Sequence, residues 1–426
     1  MDNFCKNNEK KILIFIIFIS LGVKVLIYFF YGDNSLSNEW AVLYKNLDNH
    51  GVLSFHNLPS LGPVPNSYMP PFYAYFILFL SKITFFDIDL TKKILVAQIF
   101  ISCFSSVLIF HIFKNFFDRK FSFLATIIYT LYPLNLYASS KISSISISMF
   151  LFCLFLFFFI RINKNHFYDA LLLGVASGLL ILARGEFYLL FLLLIFFKVY
   201  EKKIKIINYL TIFLITFIII FPYLKRNLDI FNKFTITESK GYNLWRGNNQ
   251  LSTVDGIISH NFIYNSSHPK ELLILESEDK NALLLLEKKI DSLHYTNTKS
   301  IQNRYDSERD KIFYNEAVSN IINDPIRYFI LSLKKLFSIT FFNLNSSYKN
   351  YYNFFNIVPE ILISIFGFLG FLNVYKSKEN LIFVIPYVFY IFIFSIFFVL
   401  PRYKLLILPM LVFFLVKYIN IIYEKK

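Results

Sequence analysis

Cysteine and acid are scarce in this chain of 426 residues. It has 3 cysteines, and 28 acidic residues stand against 43 lysines and arginines. Cys5 lies in the N-terminal tail, while Cys103 and Cys153 fall inside apolar runs, so they supply neither a disulfide framework nor a metal site of known spacing. His50, His56, His260 and His268 show no metal-ligand spacing either, and the expected metal and cofactor content is none. Charged residues make up only 17% of the chain, which leaves little material for soluble domains. The one long polar stretch, Asn227–Asp324, holds no βαβ pattern and no glycine-rich phosphate loop. The first apolar run is about 19 residues long and lacks a small-residue cleavage site, which favours a retained span over a signal peptide.

What is present is hydrophobic. Apolar residues reach 56%, aromatics 20%, and mean hydropathy is +0.52. That composition belongs to an all-α polytopic membrane protein. The net charge of +15 sits mostly in short loops, where it reads as topology and contact with anionic lipid, with no nucleic acid among the expected partners.

Length and flanking charge predict ten spans: Ile12–Phe30, Ile94–Phe113, Phe121–Tyr137, Ile145–Ile160, Tyr168–Ala183, Phe187–Phe197, Ile206–Tyr223, Phe354–Tyr375, Leu381–Leu400 and Leu405–Ile422. Every loop this assigns to the cytoplasm is Lys/Arg-rich, and both termini are cytoplasmic. Asn38–Asn49 has the spacing of a helix lying at the interface, and Phe72–Phe86, opened by Pro70-Pro71, reads as juxtamembrane. Asp324 and Pro325 start another helix, whose Lys334 and Lys335 suit the outer leaflet. The expected units are 1–226, a membrane domain with its first extracytoplasmic loop at 31–93; 227–324, an extracytoplasmic module acting as lid or platform; and 325–426, a juxtamembrane helix with the last spans.

A second set of charges breaks the positive-inside bias. On the translocated face stand Asp33, Glu39, Arg184, Lys225, Arg226, Arg402 and Lys404. Acids and bases gathered at one membrane face point to a site for an anionic, lipid-borne substrate. Lys24, inside the first span, needs a partner or a route to the headgroups, and Asp33 is one candidate partner.

Five stretches, in order, resemble the GT-C glycosyltransferases, in the branch of aminoarabinose transferases and protein O-mannosyltransferases. They are the acidic loop Asp33 to Glu39-Trp40, then Tyr68-Met69-Pro70-Pro71-Phe72-Tyr73, and Ala183-Arg184-Gly185-Glu186. Pro222 through Arg226-Asn227 follows, leading to Gly241-Tyr242-Asn243-Leu244-Trp245-Arg246-Gly247-Asn248-Asn249, and Arg402-Tyr403-Lys404 with Pro409 closes the set. The resemblance implies a GT-C-like bundle with extracytoplasmic juxtamembrane helices in a bacterial inner membrane. It also implies transfer of a sugar from a polyprenyl-phosphate carrier to an acceptor lipid, glycan or protein. A carboxylate, Asp33 or Glu39, accepts the acceptor's proton. Arg184, Lys225, Arg226, Arg402 and Lys404 are the candidates to hold the leaving phosphate, and Asn243, Trp245 and Asn248 the candidates for sugar or loop contacts. Two departures stand out. Leu36 occupies the place where the family commonly has its Asp, and Lys141-Ile142-Ser143-Ser144 supplies no acid in the second loop. The rivals are a lipid-linked oligosaccharide polymerase or ligase, with outward arginines but no early acidic loop, and a flippase or transporter, with midplane charges and paired repeats.

Overall fold

The structure, a computed structural model, describes residues 9–58, 62–84, 88–162, 166–201, 204–256, 305–348 and 350–424, with short pieces between 285 and 292. Cys5, His260, His268 and most of the expected helix Lys270–Leu293 lie outside the described residues.

The chain opens with α1 (Glu9–Tyr31) and α2 (Glu39–His50), followed by a two-stranded antiparallel hairpin, β1 (His56–Leu58) and β2 (Gly62–Val64). Next come α3 (Phe72–Lys82), α4 (Leu90–Phe113), α5 (Arg119–Leu131), α6 (Pro133–Ser139), α7 (Ile145–Arg161), α8 (Phe167–Ala183), α9 (Phe187–Glu201) and α10 (Ile206–Phe231). The module beyond holds α11 (Lys240–Gly247) and α12 (Tyr305–Asn323). Last are α13 (Pro325–Thr340), α14 (Phe354–Val374), α15 (Leu381–Ile396), a 3₁₀ turn at Pro401–Tyr403, and α16 (Lys404–Glu424).

All ten apolar segments form helices, but they are unequal. Six are long and apolar enough to cross a membrane: those at Glu9–Tyr31, Leu90–Phe113, Ile206–Phe231, Phe354–Val374, Lys378–Ile396 and Pro401–Glu424. The expected span Phe121–Tyr137 is a pair, α5 and α6, bent by 56°. Pro133 forces the break: it holds Tyr132 extended (φ −60°, ψ 123°) and removes a helical N–H donor. The α7 and α8 helices are shorter apolar helices, as is α3, which agrees with its juxtamembrane reading.

Packing follows burial. From Lys404 to Val416 every residue of α16 is buried, so this helix is the axis of the bundle, while α1 on the rim turns Phe18, Phe29 and Phe30 outward. The α8 and α10 helices pack closely because Gly174 and Gly178 face Ile215 and Ile219; a Cβ at either glycine meets the opposing Ile Cβ at 2.8 Å. Two expectations change. The α2 stripe of Trp40, Leu43 and Leu47 is buried and turns inward onto α3 instead of lying on lipid. Lys24 neither pairs with Asp33 nor reaches the headgroups. It is fully buried, with its ammonium on Ser20 Oγ at 2.6 Å and the Ser102 carbonyl at 3.4 Å, stitching α1 to α4. Along α13, Ile326, Phe329, Ile330, Leu333 and Phe337 are exposed on an outer face with Lys334, as a leaflet-seated helix requires. Lys335 points the other way.

Candidate functional site

The site face is built around α6, the short helix left by the break at Pro133. On one side lie the acids. Asn38 caps α2, accepting from Trp40 N at 3.2 Å, and donates to the Ile142 carbonyl at 2.9 Å. This holds Glu39 in the first turn, beside the loop that follows α6. Asp33, just past α1, is tied to that same loop. One carboxylate oxygen meets Lys141 Nζ at 2.9 Å and the other accepts from Ile142 N at 2.8 Å. Among the described residues Glu39 makes no hydrogen bond or ion pair. Both acids surround Tyr73, whose hydroxyl donates to Gln98 Oε1 while Trp40 packs edge-on at 4.6 Å. Burial, reinforced by the negative charges of Asp33 and Glu39, pushes the Tyr73 phenol well above its ordinary value, so it stays neutral and positions Gln98. Gln98 in turn donates to the Lys141 carbonyl at 2.8 Å.

The bases lie on the other side. Helix α6 packs against the 3₁₀ turn Pro401–Tyr403 that carries Arg402. Arg402 is exposed, with its guanidinium 6.0 Å from the centre of the Tyr403 ring, and it has no acidic partner among the described residues. Arg184, from the turn after α8, approaches the same ring at 5.9 Å and is held by Glu186 at 2.7 Å. Two motifs far apart in sequence thus meet at one tyrosine. The structure adds two residues that had no separate role in the motifs. Arg246 lies over the Phe398 ring at 4.5 Å, and Tyr348 stands in the field of both Arg246 and Arg402. Burial raises the Tyr348 phenol while the two arginines oppose that shift.

Several expected substrate contacts are used for structure instead. Arg226 donates to the carbonyls of Asn66 (2.8 Å) and Leu53 (3.4 Å) and to Asn227 (2.7 Å), so it clamps α10 to the first loop and has little left for a phosphate. Lys404 is buried, on the Phe341 carbonyl and 3.7 Å from Glu360, facing away from the open site. Trp245 is fully buried against Phe313 at 4.9 Å and Tyr242, so its indole packs the core of the module. Asn248 is buried as well, donating to Leu244 and Ile396 carbonyls and accepting from Lys335. Asn243 is half-buried, with only a long 3.4 Å contact to Ser239, and Lys225 is exposed and unpaired among the described residues. Gly247 is required where it is, because a Cβ there runs into the Phe397 carbonyl.

Beneath Arg402 a polar network fixes the turn. Asp255, fully buried, accepts from Asn343 Nδ2 (2.6 Å), Ser347 N (2.8 Å), Ser347 Oγ (2.8 Å) and Ser346 Oγ (3.2 Å). Tyr351 links Asn343 N to Glu360 at 2.9 Å on each side. Glu360 could have been noticed as a lone acid inside an apolar run; Asp255 carries no sequence signal. No group of three or more potential metal ligands occurs among the described residues.

With the geometry in place, the comparisons are informative. The dolichyl-phosphate-mannose-protein mannosyltransferase family matches residues 68–225. The archaeal oligosaccharyltransferase AglB from Archaeoglobus fulgidus, in complex with an inhibitory peptide and a dolichol-phosphate, superposes over 99% of this chain and 51% of its own, with TM-score 0.54 and 12% identity. The chain thus shares the polytopic helical fold of this oligosaccharyltransferase. A second structure of the A. fulgidus enzyme, tethered with an acceptor peptide, gives TM-score 0.52 at 10% identity over 98% of this chain and 50% of that one. ArnT from Cupriavidus metallidurans, bound to undecaprenyl phosphate, gives TM-score 0.40 at 10% identity, covering 93% and 77%. The chain spans about half the length of the archaeal enzymes it matches. No curated protein matches its sequence.

Proposed function

We propose that the protein transfers a sugar from a polyprenyl-phosphate carrier to an acceptor hydroxyl at the extracytoplasmic face of a bacterial inner membrane. The observation that carries this reading is the arrangement around α6: the carboxylates Asp33 and Glu39 on one side, and Arg402 with Arg184 bracketing Tyr403 on the other. In the reaction, the acceptor oxygen attacks the anomeric carbon as the bond to the carrier phosphate breaks, inverting that centre. One of the two carboxylates takes the hydroxyl proton. The phosphate leaves as free polyprenyl phosphate, and Arg402, Arg184 and Arg246 meet its growing charge. The sugar is already activated on its carrier, so no nucleotide is invoked. Segment 227–324 is an extracytoplasmic module, lid or platform to 1–226, and both termini face the cytoplasm. The dolichol-phosphate of the AglB complex and the lipid-linked donor in the matched family's description support a lipid-phosphate donor. Purified protein given sugar-loaded undecaprenyl phosphate and a membrane extract as acceptor should release bare undecaprenyl phosphate in step with an inverted product. A carrier that stays intact under those conditions overturns the proposal.

A further inference from the structure

A cavity of about 10 Å³ lies under the turn that carries Arg402, with room for one water-sized body. Its wall includes Asp255 of the module, Asn343, Tyr351, Glu360 of α14, Pro401 of the turn and Lys404 at the start of α16. The charged residues of the wall are deeply buried: Asp255 is 0% exposed, Glu360 3% and Lys404 3%. When ionised, two carboxylates and one ammonium leave the wall with one negative charge in excess.

The hydrogen bonds do not use up that charge. Lys404 Nζ is shared between the Phe341 carbonyl and Glu360 Oε1, the latter at 3.7 Å. Oε1 also accepts from the Tyr351 hydroxyl at 2.9 Å, whereas the buried Oε2 has no partner among the described residues. At Asp255, Oδ2 accepts from Ser346 and Ser347, and Oδ1 accepts from Asn343 Nδ2 at 2.6 Å. Those donors are all neutral. A buried carboxylate is costly unless a cation or a full set of hydrogen bonds meets it, and Lys404 cannot balance two acids.

The chemistry of the wall selects among cations. Hard oxygens, with no imidazole or thiolate, suit an alkali or alkaline-earth ion. Calcium takes about six to eight oxygens and magnesium keeps several waters, which this volume does not hold. A divalent ion would also meet the Lys404 ammonium with twice the repulsion. A bare monovalent ion fits the volume, and its charge equals the excess. We propose that this cavity binds one alkali-metal cation, sodium or potassium, held by Glu360 Oε2 and Asp255. With Pro401 in the wall, the bound ion stiffens the turn next to Arg402. The inference needs neither the donor nor the acceptor assigned above, and its test uses no substrate.

Thermal unfolding of the detergent-solubilised full chain is followed in sodium, potassium or choline chloride at equal ionic strength. Sodium or potassium should raise the melting temperature over choline by about 1–3 °C, saturating as a single site does. Glu360→Gln keeps the size of the side chain while removing the excess charge, and should erase the difference between alkali ion and choline. Lys404→Met takes away the competing ammonium, so its half-saturating cation concentration should fall on the order of tenfold. This second variant carries the test alone if Glu360→Gln does not fold. Equal melting temperatures in all three salts overturn the site and leave an ordered water as the occupant. An alkali-specific rise that persists in Glu360→Gln also overturns it. So does half-saturation in Lys404→Met at or above the wild-type concentration.

Discussion

At the residue scale, the arginines of the site differ by how much of each guanidinium is already used. Arg226 is spent on carbonyls and Arg184 is braced by Glu186, while Arg402 is exposed beside Tyr403. A guanidinium can grip two phosphate oxygens at once and an ammonium cannot. Arg402→Lys should therefore lower kcat by roughly 10–100-fold despite preserving charge, and Arg402→Ala should impair donor binding as well. Steady-state kinetics normalised to folded protein check this, and wild-type turnover in Arg402→Lys would remove the residue from the site. The acids divide similarly. Asp33 is bound to Lys141 and Ile142 N, whereas Glu39 is open, so Asp33→Asn and Glu39→Gln identify the proton acceptor directly. Loss of the base slows the chemical step by a factor on the order of 10²–10⁴ with donor still bound. Near-normal single-turnover rates in both variants would refute a carboxylate base from this pair.

At the element scale, the module's attachment depends on α13, which lies outside the spanning helices. Lys335 projects inward from it to the Gly247 carbonyl at 2.7 Å and Asn248 Oδ1 at 3.1 Å, capping the end of α11. Burial without an acid pushes this ammonium down to about 7. Between that value and the ordinary lysine value of 10.5, the unfolded chain binds a proton that the folded chain does not. Stability should accordingly rise with pH across that window and lose this dependence below it. Thermal unfolding of the detergent-solubilised protein at pH 7, 8.5 and 10 should show the rise, and Lys335→Met should flatten it; an equal slope in the variant refutes the assignment. Trp245→Ala leaves a large hole against Phe313 and should cost about 3–5 kcal/mol, seen as a lower melting temperature. Much at this scale was legible. Long apolar runs with charged ends fixed the helices, and Asp324-Pro325 marked the start of α13 where it occurs. Less legible was direction. Periodicity finds the α2 stripe, but only α3 packed beside it shows that the stripe faces inward. Likewise a lysine after a proline-containing turn, such as Lys404, reads as a surface charge until its distant partner Glu360 is placed beside it.

Across the whole molecule, the ordered motifs pointed to the polytopic helical fold and to one charge-rich face, because charge against the positive-inside bias is visible in sequence alone. The pairings within that face were not visible. Asp33 with Lys141, Arg184 with Tyr403, and Asp255 with the 343–347 loop join segments separated by 88 or more residues, and chain spacing holds no record of them. Sidedness is testable in cells. Single cysteines introduced at Ser35 and Ser346, on a cysteine-free background, should label with an impermeant maleimide in cells whose outer barrier is opened, while one at Asn115 should label only after the inner membrane is permeabilised. The reverse pattern would put the site in the cytoplasm. The most direct test of the central claim separates transfer from transport in proteoliposomes containing sugar-loaded undecaprenyl phosphate, by following carrier cleavage and carrier translocation together. The account predicts bare undecaprenyl phosphate appearing only when acceptor is added, with no cleavage in an Arg402→Ala protein. Loaded carrier that crosses the bilayer uncleaved, with or without acceptor, would contradict it.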